Sequence, residues 1–260
     1  YAHALSVWPL SKDTTIDFIF DGWGDNNICH SIFKSDERIL TRDLHEWGSF
    51  ANIMGRVGDN IGLPGQVLDH AGKIMALKGY GKDYPLNKKY NFETLYDLWY
   101  NFDYDQSDQK VIDFIRNAHR ETERIYLEHF INNTNHDDVI SYTGGVAQNT
   151  IINTLIKKER PNLHIPPHCN DCGLSLGVVE FFRKMFDQET FDNSGFPFWQ
   201  SDSAPSNPTD KTIKETAEML AQGKIVGWYQ GHGEIGPRAL GNRSILMRPD
   251  IKDGKDILNS

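Results

Sequence analysis

The chain has 260 residues, 38% of them hydrophobic and 24% charged, with a formal net charge of −9. That length suits about two domains, and the acidic balance argues against a nucleic-acid surface while leaving room for one local basic pocket that takes a nucleotide. No run approaches the ~18 apolar residues of a membrane helix, no secretory signal is visible, and three cysteines beside ten histidines suit a reducing cytoplasm better than a disulfide framework; the sequons at Asn132 and Asn242 then read as chance.

Taken in order, Thr15 to Phe20 alternates β-branched and aromatic residues and predicts a strand. It runs into the turn Asp21-Gly22-Trp23-Gly24-Asp25. Ser31 to Leu40 reads as a second strand or hairpin partner. Gln66 to Leu77 has helical period through Val67, Ala71, Ile74 and Met75, and stops at Lys78-Gly79-Tyr80-Gly81. The segment 87–105 is rich in aromatics, from Tyr90 to Tyr104; it reads as core packing, with contact to a ligand's apolar face as the alternative. Asp108 to Asn132 is the clearest helix, capped at Ser107, with charged residues on its outer face and a structural role.

Asp138 to Tyr142 predicts a short strand, 143–147 a glycine turn, and Gln148 to Lys158 a helix. Strand, Gly-Gly turn and helix together can present a helix start to an anion. Gly173 to Phe186 predicts an apolar helix. Phe191 to Thr209 is rich in Pro, Ser, Asp and Asn, has no period, and is the expected linker. Thr212 to Ala221 then reads as a helix, Lys224 to Tyr229 as a buried strand, and Ser244 to Met247 as a return to an apolar element.

Residues 231–248 carry the densest signal. Arg238, Arg243 and Arg248 stand among glycines, with Asn242 and Ser244 beside them. Glycine lets backbone approach a ligand, and arginine offers a planar fork for phosphate or carboxylate. The expectation is a pocket for a small dianion built on Arg238 and Arg243, with Arg248 on the surface. Other motifs are weaker alone. Asp21 at a strand end can hold a metal or merely close a hairpin. Gly144-Gly145 suits close approach of a nucleotide or plain helix capping. Cys169-Asn170-Asp171-Cys172 reads as half a zinc site, as a redox pair, or, preferred, as a frame for a functional Asp171 with the cysteines buried. His3 alone is an ordinary buried or surface histidine.

In this order the motifs resemble the nodulation-protein-type O-carbamoyltransferases, which include antibiotic-decorating enzymes. The match runs through His3, Asp21-Gly-x-Gly-Asp25, Gly72-Lys73-x-Met75, Gly144-Gly145-Val-Ala-x-Asn149, Asp171-x-Gly-x-x-Leu-Gly177 and Gly236-Pro-Arg-Ala-Leu-Gly-Asn-Arg-Ser244. The resemblance implies a mixed α/β architecture: an actin-like, threonylcarbamoyl-transferase-like domain over 1–190, the linker 191–209, and the start of a YrdC-like domain over 210–260.

It also implies an activity. Carbamoyl phosphate and ATP would give carbamoyl adenylate, whose carbamoyl group passes to a hydroxyl of a small acceptor. His3, Asp21 and Asp171 would be the catalytic metal ligands, for a divalent ion expected to be iron(II), with magnesium as the alternative. Gly22, Gly24, Lys73, Gly144, Gly145 and Asn149 would lie at the ATP-derived adenylate. Arg238, Asn242, Arg243 and Ser244 would bind carbamoyl phosphate.

The family opens this region with His-His-x-x-His-Ala, and only the last histidine, as His3, is present. The chain therefore reads as a fragment, short of a metal ligand, of the hairpin that binds phosphate and of the second domain's tail, so its own activity is open. A tRNA threonylcarbamoyl transferase-like enzyme and a nucleotide- or sugar-binding regulator on the same fold are the alternatives.

Overall fold

The computed structural model describes residues 1–11, 13–189, 193–199 and 207–259. The chain divides into two compact units, Tyr1–Phe191 and Asp192–Ser260. Within the first, in chain order, are α1 (Ala2–Leu5), β1 (Ile16–Phe20), β2 (Ile28–Lys34), β3 (Glu37–Asp43), α2 (Phe50–Asn60), α3 (Val67–Leu77), α4 (Leu95–Tyr100), α5 (Asp108–Asn133), β4 (Ile140–Thr143), α6 (Thr150–Glu159), β5 (Leu163–His164) and α7 (Leu174–Met185). The second unit holds α8 (Asp210–Ala221), β6 (Val226–Tyr229), β7 (Arg243–Leu246) and α9 (Gly254–Asn259).

The strands of the first unit form one sheet in the order β3-β2-β1-β4-β5. β1 pairs antiparallel with β2 and parallel with β4, β2 is antiparallel to β3, and β4 is parallel to β5. A hairpin pair continued by parallel strands fed through helices is the mixed α/β architecture expected. β1 is buried along its whole length because both sheet faces are covered. Ile16, Phe18 and Phe20 join the main core with Tyr126 and Phe130 of α5. Ile19 packs with Ala4 and Phe33 on the other face. There Asp17 is satisfied by Trp8 Nε1 at 3.0 Å and by the Ser141 hydroxyl.

Several expectations shift. Ser31 to Leu40 is two strands turning at Ser35 and Asp36, both at positive φ. The helix expected from Gln148 starts at Thr150, because Gly145–Gln148 is a separate 3-10 turn and Asn149 is the N-cap of α6. The strand at Lys224 to Tyr229 is shorter and not buried: β6 alternates between half-buried and exposed, since a two-stranded sheet has too little area to bury either face. Cys172 is exposed, whereas Cys29 and Cys169 are buried, and none of the three forms a disulfide. Of the expected linker, residues 191, 192 and 200–206 lie outside the described residues.

The aromatic segment is core. Phe92 and Trp99 are buried, and Trp99 Nε1 donates to Thr122 Oγ1 at 3.1 Å. α5 is more than a structural rod, since Asn117, His119, Thr122 and Glu123 are buried within it. Its C-terminal carbonyls are met by Arg160, whose guanidinium donates to Ile131 O and Thr134 O, a cationic helix cap.

Candidate functional site in the first unit and the arginine loop of the second

Three segments far apart in sequence meet at the end of β1. His3 comes from α1, Asp21 directly follows β1, and Asp171 opens the 3-10 turn leading into α7. His3 Nε2 lies 3.1 Å from Asp21 Oδ2 and 3.4 Å from Asp171 Oδ1. One ligand atom from each residue falls within 4.8 Å of the other two. His3 is buried, Asp21 is half-buried, and the Asp171 side chain is 75% exposed, so the cluster is closed behind and open in front.

Asp21 is held by its neighbours. Its Oδ1 accepts from Gly22 N at 2.8 Å and Gly145 N at 3.0 Å. Burial works to raise this carboxyl, but the His3 hydrogen bond and charge and the two amides outweigh it and hold it below the usual carboxylate range. Behind it, Ser49 Oγ donates to Asp21 O, and Asn52 Nδ2 donates to Gly22 O at 2.8 Å. Both belong to the start of α2, whose buried face carries Phe50, Ile53, Met54 and Val57 at helical spacing, a signal that sequence reasoning missed; Gly55 and Gly58 on that face leave room for Val67 and His70 of α3. On the other side, His168 Nε2 lies 3.2 Å from Ser6 O, which ties the loop before Asp171 to the end of α1.

The Gly144-Gly145 turn sits beside Asp21. Gly144 has φ +90°, and a Cβ there would fall 2.1 Å from Phe20 O, so no other residue fits. Its amide donates to Cys169 O at 2.6 Å. Both amides of the pair are therefore engaged inside the protein. Asn149 caps α6 through Oδ1, and its Nδ2 lies 3.1 Å from His119 Nε2. Lys73 is elsewhere: on α3, its ammonium donates to Pro64 O. Gly22 and Gly24 flank Trp23, which is 65% exposed.

The residues present fit a divalent first-row ion. One imidazole nitrogen and two carboxylate oxygens converge from one side and leave positions on the other side open, and in this arrangement His3 Nδ1 is buried without a hydrogen-bond partner.

In the second unit the arginine segment is organised by a residue the sequence did not single out, Glu234. Its Oε1 accepts from Leu240 N at 2.9 Å and Asn242 N at 2.6 Å, and its Oε2 from Arg243 Nε at 2.8 Å. Arg243 Nη2 donates to Gly236 O and Arg238 O, which leaves Nη1 uncommitted among the described residues. Asn242 Nδ2 donates to His232 O. Arg238 and Ser244 are exposed. Arg248 pairs with Asp250 and donates to Ala221 O, as a surface arginine would. The signal for Glu234 lay inside the motif, as the lone carboxylate among three arginines.

Comparison with known proteins agrees with these motifs. Residues 217–260 match the family described as Carbamoyltransferase C-terminus. The chain is 28% identical to the nodulation protein NolNO of Sinorhizobium fredii over 140 residues, 46% of this chain and 21% of that protein. It is 35% identical over 109 residues to the 3'-hydroxymethylcephem-O-carbamoyltransferase of Streptomyces clavuligerus, 38% of this chain and 20% of that protein. An uncharacterized protein of Methanocaldococcus jannaschii is 28% identical over an alignment of 321 positions that takes in 99% of this chain and 52% of that protein. The chain thus spans about half, or less, of the curated relatives it matches. The resemblance to nodulation-protein-type carbamoyltransferases is borne out.

Proposed function

We propose that this relative of the carbamoyltransferases is part of an O-carbamoyltransferase, with carbamoyl transfer in the first unit and the beginning of donor activation in the second. The observation that carries the reading is the convergence of His3, Asp21 and Asp171. Composition gives no reason for three such residues to meet, and the family resemblance does.

In this reading water first cleaves carbamoyl phosphate to carbamate and phosphate, and the carbamate oxygen then attacks the α-phosphorus of ATP, giving carbamoyl adenylate with release of pyrophosphate. The acceptor hydroxyl then attacks the carbamoyl carbon, its proton is lost and AMP leaves. An ion such as iron(II), held by His3, Asp21 and Asp171, would polarise the carbamoyl oxygen and offset the charge that grows there. The protein's own part is positioning. Gly22 and Gly145 amides fix Asp21 in its ionised form. Gly144, with no side chain, lets the turn close against Phe20, which sets the Gly145 amide on Asp21. In the second unit, Arg238 and the uncommitted edge of Arg243 are the cationic groups offered to carbamoyl phosphate, with Asn242 and Ser244 at their flank.

The domain division proposed is the transfer domain over 1–190 and the donor domain from 210. Three cysteines outside any disulfide, one of them exposed, support a reducing compartment. Among the described residues no helix is long and apolar enough to cross a membrane.

The test is a screen of hydroxylated metabolites with the protein, labelled carbamoyl phosphate and ATP. Label in a neutral product, with pyrophosphate formed only when both donors are present, is the expected result. Wild-type activity retained in Asp21→Asn would remove the metal cluster from the mechanism.

A further inference from the structure

Helix α5 carries a buried polar group that takes no part in the proposed transfer. His119 Nδ1 lies 2.5 Å from Glu123 Oε1 one turn along the helix. Lys78 Nζ, from the turn after α3, donates to the same oxygen. On the other side of the ring, His119 Nε2 lies 3.1 Å from Asn149 Nδ2. Asn149 Oδ1 accepts from Ile152 N at 3.1 Å. His119 has no exposed surface, and Glu123 and Asn149 are buried.

These contacts fix where the proton sits. An ionised carboxylate can only accept, so Nδ1 carries the hydrogen. An amide nitrogen can only donate, so Nε2 must be the acceptor. The ring is therefore the neutral Nδ1–H tautomer. Burial lowers the His119 pKa against the pull of Glu123. Burial alone would raise Glu123, but the bonds from His119 and Lys78 hold it below its ordinary range. The Asn149 amide is locked in turn. Flipped, its oxygen would face the Nε2 lone pair and its NH2 group would face the Ile152 N–H.

From Asn149 the order passes to the metal cluster. Asn149 N donates to Val146 O at 2.9 Å, and Asn153 Nδ2 donates to Ala147 O at 2.7 Å. The 3-10 turn Gly145–Gln148 is so pinned at two carbonyls, and its first amide holds Asp21 Oδ1.

We infer that His119 is a positioning residue: kept in one tautomer by Glu123 and Lys78, it locks the Asn149 amide and, through it, the turn whose Gly145 amide aims Asp21. The catalytic meaning of this inference rests on the proposed carbamoyl transfer; the positioning itself does not.

The experiment uses nitrogen-15-labelled protein, wild type and three variants, read by imidazole nitrogen shifts and by amide hydrogen exchange at Gly145 and Ile152. The wild-type ring should show a protonated Nδ1 and a bare Nε2. His119→Leu, which keeps bulk and loses the acceptor, should speed exchange at both amides by at least about tenfold, the size of one lost buried hydrogen bond. His119→Gln restores an acceptor oxygen toward Asn149 and should recover most of that protection. Glu123→Gln, milder should the leucine variant fail to fold, should spread the proton over both ring nitrogens.

Transfer activity should lose kcat in His119→Leu with KM for the donors unchanged, and His119→Gln should recover most of it. Unchanged exchange in His119→Leu, no rescue by His119→Gln, or a wild-type ring protonated at Nε2 would each overturn the inference. If wild type transfers no carbamoyl group, the functional reading falls while the nitrogen shifts and exchange rates still decide the positioning.

Discussion

Gly177 on α7 lies so close to Ala2 on α1 that a Cβ added to it would fall 1.9 Å from the Ala2 carbonyl oxygen. This contact sets the spacing between the helix that carries His3 and the helix that Asp171 leads into. The family-like motif Asp171-x-Gly-x-x-Leu-Gly177 therefore holds one carboxylate of the cluster and, six residues later, the packing point between the helix it leads into and the helix of His3.

Gly177→Ala should push the two helices apart, costing about 1–3 kcal/mol of stability as overpacking does, and weaken Co(II) capture by the cluster. Thermal unfolding and a visible-range Co(II) titration check both. Unchanged Co(II) affinity would mean that the spacing does not govern the site.

Glu234→Gln should loosen the arginine loop. Burial would raise this carboxyl, but the amides of Asn242 and Leu240 and the Arg243 guanidinium hold it below its usual range. Its contribution is thus full above the ordinary glutamate range and is lost as pH falls through the lowered folded-state value. Protection of the Leu240 and Asn242 amides relative to their intrinsic exchange rate, followed from pH 6 downward roughly across the carboxylate range, should fall, and the variant should show low protection at every pH. Phosphate binding should weaken in parallel. High, pH-independent protection in the variant would show that Glu234 does not hold the loop.

The first unit should lose stability in mild acid before its carboxylates titrate. Burial, and then the nearby charge of Arg42, lower His129 to about 4, and burial pushes His30 well below its usual range. A histidine held neutral in the fold stabilises fully above its unfolded pKa of ~6.5, and this is lost as pH falls toward the folded value, here about 3 kcal/mol for His129. Urea midpoints at pH 7, 5.5 and 4.5 check the slope, and His129→Gln should flatten it. An equal slope in that variant would assign the loss to other groups.

Alkylation should separate the three thiols. Burial pushes Cys29 up to about 12, Cys169 is buried, and Cys172 is exposed. Iodoacetamide at neutral pH should label Cys172 first and leave the others until unfolding. Peptide mass mapping reads this directly; early labelling of Cys29 would contradict its burial.

What the sequence made legible came from strong local signals. β1, α3, α5 and α7 have clear period or clear stops. Each residue of the cluster stands in a motif, so the resemblance could name His3, Asp21 and Asp171 together although nothing in their spacing brings them close. The supporting groups were less visible. Ser49 and Asn52 sit at the start of α2, whose stripe of Phe50, Ile53, Met54 and Val57 was there to be read, but nothing local shows that their side chains turn to Asp21 and Gly22. Glu123 and His119 look like members of a charged helix face, and their burial depends on α3 and α6 folding back over them. Glu234 was hidden by the arginines it organises.

The separation of His3 from Asp171 along the chain has a kinetic side. A contact between residues so far apart closes only after the intervening strands and helices have condensed, because a long loop must first surrender its freedom. If the cluster holds an ion as proposed, the first unit would capture it only after α7 has emerged and Gly177 has docked on Ala2. Capture would then mark completed folding, and an ion that binds the native form alone would act as the latch that keeps this late closure shut.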